Sequence, residues 1–214
     1  VIQTKAESFA RSLERALAGP LPGESAQAAM APGYLEGLGG PEPPGSARRE
    51  ASVLVLLYFS GGEPRFPLIR RVESGGPHGG QISLPGGGRE PGESPGEAAL
   101  RETEEELGAD PSSIRLLGAL SELWLPSSRF QVSPFVGFRA ERPAFRPSPA
   151  EVAGILEPGL SELLDPSRRR SGLREIGGRR WELPYYLLAG GEVWGATARI
   201  LAELEALLRA AGLG

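Results

Sequence analysis

The chain has 214 residues, enough to bury a substantial core as one domain with or without a small appendage. Hydrophobic content of 40% and charged content of 23% are ordinary for a globular protein, and no apolar run is long enough to span a bilayer. A net charge of -4 excludes a global field that would attract a polyanion such as DNA, and the lack of cysteine excludes disulfides and thiolate metal sites.

With no secretory pattern at the N-terminus either, the expectation is a cytoplasmic protein with neither nucleic-acid nor membrane partners. Lys5 is the only lysine, so arginines supply nearly all the positive charge. A phosphate-bearing substrate would need local neutralisation by a metal ion and by specific arginines.

Residues 2–17 place Phe9, Leu13 and Leu17 four apart among polar residues, which predicts a helix docked on the main domain. Residues 19–49 are rich in Gly, Pro and Ala and read as an irregular connector with one short helical turn. A connector this long points to a role at a dimer interface or over the site, and the sequence leaves both open, a homodimer included. The division is thus an N-terminal helix and connector over 1–50, and the main domain over 51–214.

The apolar run 51–58 predicts a strand buried on both faces. Gly61-Gly62 turns the chain, 66–71 returns as a second strand, and 74–80 is a loop. A short strand over 81–84 then leads into a Gly-rich turn at 86–88. Further on, 114–125 and 130–140 read as strands joined by a turn at 126–128, and 152–156 as another strand. A short helix near 161–164 follows, then extended segments at 181–188 and 193–194. An amphipathic helix over 195–210 closes the chain, with Ile200, Leu204 and Leu208 on one face. Trp124, Trp181 and Trp194, with Phe130 and Phe135, are assigned to the core. Strands interspersed with helices at the start, middle and end predict an α/β fold with a sheet covered on both faces.

The densest local signal lies between these strands. Ser94 is a capping hydroxyl, Pro95 fits the first helical position, and Glu97 completes a capping box. The helix should run to Leu107 and stop at Gly108 in a left-handed cap. Glu102, Glu105 and Glu106 fall on one face, while Ala99, Leu100, Thr103 and Leu107 form the opposite one. Three neighbouring carboxylates repel one another unless a cation sits among them, and they are the hard oxygen donors that Mg²⁺ prefers. Arg101, one turn before Glu105, can pair with it, and Glu93 can reach the same guanidinium.

A solvated acidic face is the usual meaning of a Glu run. Here the wider spacing decides otherwise. Gly87, five residues, Glu93, seven residues, Arg101-Glu102, then Glu105-Glu106 and Gly108 resembles the Nudix box of hydrolases acting on nucleoside diphosphates linked to another group. Thr103 and Ala109 stand where the box usually has bulky aliphatics. Residues 71–87 are similar to the segment preceding the box in the coenzyme A pyrophosphatase subgroup, with Arg71, His78, Gly80, Gln81, Pro85, Gly86 and Gly87 matching. Gly75-Gly76 replaces the subgroup's Leu-Arg pair. Glu151-Val152 and the stretch from Trp194 to Ala198 also resemble that subgroup.

The resemblance implies an α/β/α sandwich with a mixed sheet, and a Mg²⁺- or Mn²⁺-dependent pyrophosphohydrolase acting on a small-molecule nucleotide substrate. Glu102, Glu106 and then Glu105 are the metal ligands, joined by the carbonyl of Gly86. Glu105, Glu102 and, outside the box, Glu151 or Glu122 are candidates for the general base. Arg71, His78 and Gln81 are candidates for substrate binding, and Arg101, Glu93, Gly87 and Gly108 support the site. Coenzyme A or an acyl-CoA is the first-choice substrate, split into 3′,5′-ADP and phosphopantetheine. ADP-ribose or another nucleoside diphosphate sugar comes second. A non-catalytic nucleotide-binding domain is the alternative of another class.

Overall fold

An apolar strand long enough to cross a domain must be covered on both faces. The computed structural model, which describes residues 2–33, 48–73, 79–176 and 178–213, shows how this one is. The chain begins with helices α1 (Ile2–Leu17) and α2 (Gly23–Ala28). Strands β1 (Arg49–Ser60), β2 (Glu63–Arg65), β3 (Leu68–Arg71), β4 (Ile82–Ser83) and β5 (Gly86–Gly88) lead to helix α3 (Pro95–Leu107). Strands β6 (Arg115–Ala119), β7 (Leu123–Leu125), β8 (Phe130–Glu141) and β9 (Val152–Leu156) follow, then helix α4 (Leu160–Leu164). The last elements are β10 (Arg169–Ile176), β11 (Arg179–Leu188), β12 (Gly191–Trp194) and helix α5 (Gly195–Ala210).

β1 runs parallel to β8 and antiparallel to β2 and β5 on its other edge, while β6 and β7 pair antiparallel with β8. The sheet is therefore mixed. Leu54, Leu56 and Tyr58 of β1 pack with Ala99 of α3, whereas Val55, Leu57 and Phe59 join Leu13 of α1 and Leu204 of α5. This is an α/β/α sandwich, as expected. Two smaller antiparallel sheets, β4-β3-β9 and β10-β11-β12, complete it. No described helix is long and apolar enough to cross a membrane.

Several sequence-based expectations need correction. The segment 114–125 is two strands, because its pairing with β8 slips between Leu116 and Gly118 and breaks after Ala119. Gly86–Gly88 is a strand and not a turn, pairing with Ala51, Ser52 and Val53. Residues 169–176, which carry no strand pattern in the sequence, are a full strand of a hairpin with β11. Trp124, Trp181 and Trp194 are all partly exposed and not core. Residues 34–47 of the connector lie outside the described residues.

One buried carboxylate ties α5 to the rest. Glu203, fully buried, accepts hydrogen bonds from Gly23 N, Gln27 Nε2 and Ser121 N at 2.9–3.2 Å. Glu203→Ala strands three donors and is expected to lower the unfolding free energy in urea by about 3 kcal/mol. A loss below about 1 kcal/mol would show that those donors find other partners.

Candidate active site

The helix carrying the acidic face is fixed at both ends by its own sequence. Ser94 Oγ accepts from Glu97 N at 3.3 Å and Glu97 Oε2 accepts from Ser94 N at 2.9 Å. Gly108 closes the helix with φ 65°, the left-handed conformation glycine adopts without strain. Ala98, Ala99, Thr103 and Leu107 are buried, so the rotation of α3 is set.

Arg101 acts as a clamp on that rotation. Its Nε and Nη2 donate to the two oxygens of Glu93 at 2.9 and 3.2 Å, and its Nη1 donates to Glu102 and Glu105 at 2.9 and 3.0 Å. Nη2 also reaches the carbonyl of Gly88 at 2.9 Å, a partner the sequence did not indicate. The bidentate guanidinium holds the Glu93 carboxyl below its usual range. The pairing of Arg101 with Glu93 and Glu105 is as expected; the one with Glu102 is additional.

Glu106 occupies a different environment. Its side chain is fully buried, with Gly86 N donating to Oε2 at 2.9 Å and Arg71 Nη2 donating to Oε1 at 3.2 Å. Burial pushes its carboxyl up to about 7, against the opposing pull of the Gly86 amide and Arg71. Burial also raises Glu102. Two glycines permit this packing, one against the neighbouring strand and one beneath a carboxylate. Gly86 has φ 149°, and a Cβ there would lie 2.3 Å from the Ser52 carbonyl oxygen. A Cβ on Gly87 would lie 2.4 Å from Glu102 Oε2, so the carboxylate sits directly on the glycine.

Glu151 is brought to this place by a wrap of chain that no local pattern announces. Arg146 N and Ser148 N cap the carbonyls of Leu107 and Glu106 at the end of α3, and Ser148 O accepts from Val152 N. β9 then pairs with β3, with Val72 N donating to Glu151 O at 3.0 Å. The charge of Glu151 accordingly raises the proton affinity of both Glu102 and Glu106. Its own carboxylate is exposed, without hydrogen bond or ion pair among the described residues. Glu122 instead accepts from Gln131 and Ser133 on β8. Glu105 is half exposed on the solvent side. Gln81 lies beside Arg71, accepting from Arg71 N through its carbonyl. His78 lies outside the described residues.

Among the described residues no three acidic or histidine side chains are already grouped as an ion cage. Glu102 and Glu105 are turned to Arg101, and Glu106 to Arg71. The donor chemistry still fits a hard divalent cation. The Arg71 guanidinium touches both Glu106 and the Gly86 carbonyl, at 3.2 and 3.4 Å, so these two oxygens converge on one point that positive charge already favours. Desolvated, mutually repelling carboxylates gain further from such charge.

The raised Glu106 has a stability consequence of definite sign. Its folded value of about 7 lies above the ordinary 4.5, so the neutral form is favoured in the fold. That contribution is complete below pH 4.5 and is lost as pH rises through about 7. In chelator, the stability of Glu106→Gln relative to wild type should grow by about 3 kcal/mol between these limits, read from urea midpoints. A difference that stays constant with pH contradicts the burial argument.

Comparison with known proteins gives the family of the chain. The NUDIX domain family matches residues 48–168. Nudix hydrolase 15, mitochondrial, of Arabidopsis thaliana is 34% identical over 161 residues, covering 72% of this chain and 56% of that protein. The chain thus spans little more than half the length of that relative. An uncharacterized Nudix hydrolase, NudL, of Yersinia enterocolitica is 35% identical over 166 residues, covering 74% of this chain and 82% of that protein. A solved MutT/nudix family protein from Enterococcus faecalis aligns with a TM-score of 0.49 at 17% identity, over 89% of this chain and 76% of that one.

Proposed function

This chain belongs to the Nudix family, and on that premise we propose that it is a divalent-metal-dependent hydrolase of nucleoside diphosphate derivatives. Nudix hydrolases generally use ions such as Mg²⁺ or Mn²⁺. The observation that carries the proposal is the convergence of Glu106 and the Gly86 carbonyl on one cationic group, with Glu102 seated on Gly87 and the Glu151 charge beside them.

Glu102, Glu106, Glu105 and the Gly86 carbonyl are the groups that would hold the ion. When bound, it neutralises diphosphate oxygens and acidifies water. The rest of the chemistry belongs to the chain. Arg101 fixes Glu102 and Glu105, so their charge stays in place without a reorganisation cost. Arg71 is positioned to pass from Glu106 to a substrate phosphate, which offers a bidentate guanidinium better geometry than the 3.2–3.4 Å contacts it makes here. Glu151, without a hydrogen bond or ion pair among the described residues and close enough for its charge to act on Glu102 and Glu106, is the best-supported general base: its carboxylate takes a proton from water as the water oxygen attacks phosphorus. The P–O bond of the bridging oxygen breaks, and two phosphomonoesters leave. Glu151→Gln should reduce kcat by about 10²- to 10⁴-fold with KM little changed, measured by product formation. An unaltered kcat would return the role to Glu105 or Glu102.

Coenzyme A or an acyl-CoA is the substrate best supported, through Arg71, Gly80, Gln81, Pro85, Gly86 and Gly87 of the segment before the box and the closing Trp194-Gly195 stretch. The test is a panel of coenzyme A, ADP-ribose, NADH and dinucleoside polyphosphates with Mg²⁺, scored for phosphomonoester products. Cleavage of coenzyme A to 3′,5′-ADP and phosphopantetheine is expected. ADP-ribose cleaved with coenzyme A untouched would reassign the substrate, consistent with Gly75-Gly76 replacing the Leu-Arg pair. No turnover of any member would favour a nucleotide-binding domain without catalysis.

A further inference from the structure

One buried side chain of β1 is out of keeping with its neighbours. Leu54, Leu56 and Tyr58 pack with Ala99 of α3, and Ser52, two residues before Leu54, lies on the same face by strand alternation. Ser52 is 1% exposed, and its hydroxyl has no hydrogen-bond partner among the described residues. Alanine would fill that space without the cost of a buried, unpaired polar group. Packing therefore gives no reason for a hydroxyl here, but the acidic site does. Ser52 pairs with Gly87 of β5, so the two lie directly opposite one another on one face of the sheet. The Glu102 carboxylate rests where a side chain on Gly87 would stand, its Cδ 2.5 Å from that Cβ position. Opposed Cβ positions are about 4.5–5.5 Å apart, so a side-chain rotation brings the Ser52 hydroxyl and the Glu102 carboxylate into hydrogen-bond range.

We infer that Ser52 is a positioning residue for Glu102, donating its hydroxyl hydrogen to the carboxylate when Glu102 turns from Arg101 to the ion. The inference rests on the metal-dependent hydrolase reading above. In the arrangement seen here Glu102 Oε1 accepts from Arg101 Nη1 at 2.9 Å, and the Ser52 hydroxyl is left over. A divalent ion draws one carboxylate oxygen to itself, and a donor to the other oxygen then fixes the plane of the group. The Glu102 side chain is only 14% exposed, so water competes little for that oxygen. Ser133 flanks Ser52 on β8 and is already committed, its hydroxyl donating to Glu122 at 3.3 Å.

The probe is Mn²⁺, titrated into the full chain and followed by its free-ion paramagnetic resonance signal, with wild type, Ser52→Ala and Ser133→Ala compared. Ser52→Ala is expected to weaken Mn²⁺ binding about 10- to 100-fold, the usual effect of removing a group that orients a metal ligand. Ser133→Ala should leave it unchanged. In chelator, Ser52→Ala should resist urea at least as well as wild type, because only an unpaired hydroxyl is lost. Weaker binding without weaker folding is a combination that a packing role does not produce. With the best diphosphate substrate of the panel, the Mg²⁺ concentration for half-maximal rate should rise by the same factor as the Mn²⁺ dissociation constant. Mn²⁺ affinity of folded Ser52→Ala equal to that of wild type overturns the inference and leaves the hydrolase reading intact. A marked loss of urea resistance in chelator also overturns it, since the hydroxyl would then serve the fold. No Mn²⁺ binding by wild type overturns both. Weaker Mn²⁺ binding by Ser52→Ala, without turnover of any diphosphate by wild type, has the reverse meaning: the positioning role stands and the hydrolase reading falls.

Discussion

Glu106→Gln is expected to lower metal-dependent turnover by about 10²- to 10³-fold, the scale seen when a preorganised electrostatic group is removed from a reacting centre. The substitution separates charge from architecture. Glutamine keeps one oxygen to accept from Gly86 N, so the packing of α3 on β5 is preserved, while the NH2 that replaces the other oxygen gives up the Arg71 contact. What disappears is the negative charge, which burial already makes costly in the metal-free protein. Stability above pH 7 should therefore hold or rise while kcat collapses. A parallel fall in both would make the acidic face a structural element only.

The second large effect concerns backbone and not charge. Gly86→Ala is expected to destabilise the protein by about 3 kcal/mol, because the φ of 149° is strained for any L side chain and the new Cβ meets backbone. That Cβ would lie 2.3 Å from Ser52 O and 2.6 Å from Val53 Cα, on the strand at the centre of the sheet. Gly87→Ala, one residue on, should behave differently. Its Cβ meets the movable Glu102 carboxylate first, so turnover falls about 10- to 100-fold as that group is displaced, with stability little changed. Urea unfolding and steady-state rates on the two variants check the contrast. Equal stability losses would mean that the Glu102 side chain cannot move aside.

These two glycines also mark where sequence reasoning ends. α3 is legible almost to the residue because Ser94, Pro95, Glu97 and Gly108 are local signals that need no partner. α1, β9 and α5 are legible for the same reason, through periodicity and apolar runs. Gly86–Gly88 carries no strand signal of its own, since three glycines have no side-chain pattern, and only pairing with Ala51–Val53 makes it a strand. The hairpin β10–β11 is hidden by its arginines, which blur the alternation of a half-buried strand. In the site, the Arg101 clamp follows from helical spacing, whereas the approach of Glu151 depends on Ser148 capping α3 some forty residues after the helix has ended. Trp194 reads as a packing residue by type, and its place on a cleft follows from tertiary geometry alone.

The central claim is that Glu102 and Glu106 hold a divalent ion next to the Gly86 carbonyl. Titration of Mn²⁺ into the full chain, followed by the loss of its free-ion paramagnetic resonance signal, measures this without any assumption about substrate. Saturable binding by wild type, abolished in a Glu102→Gln, Glu106→Gln double variant that keeps its far-ultraviolet dichroism, is the predicted result. Equal Mn²⁺ uptake by the folded double variant, or none by wild type, would contradict it.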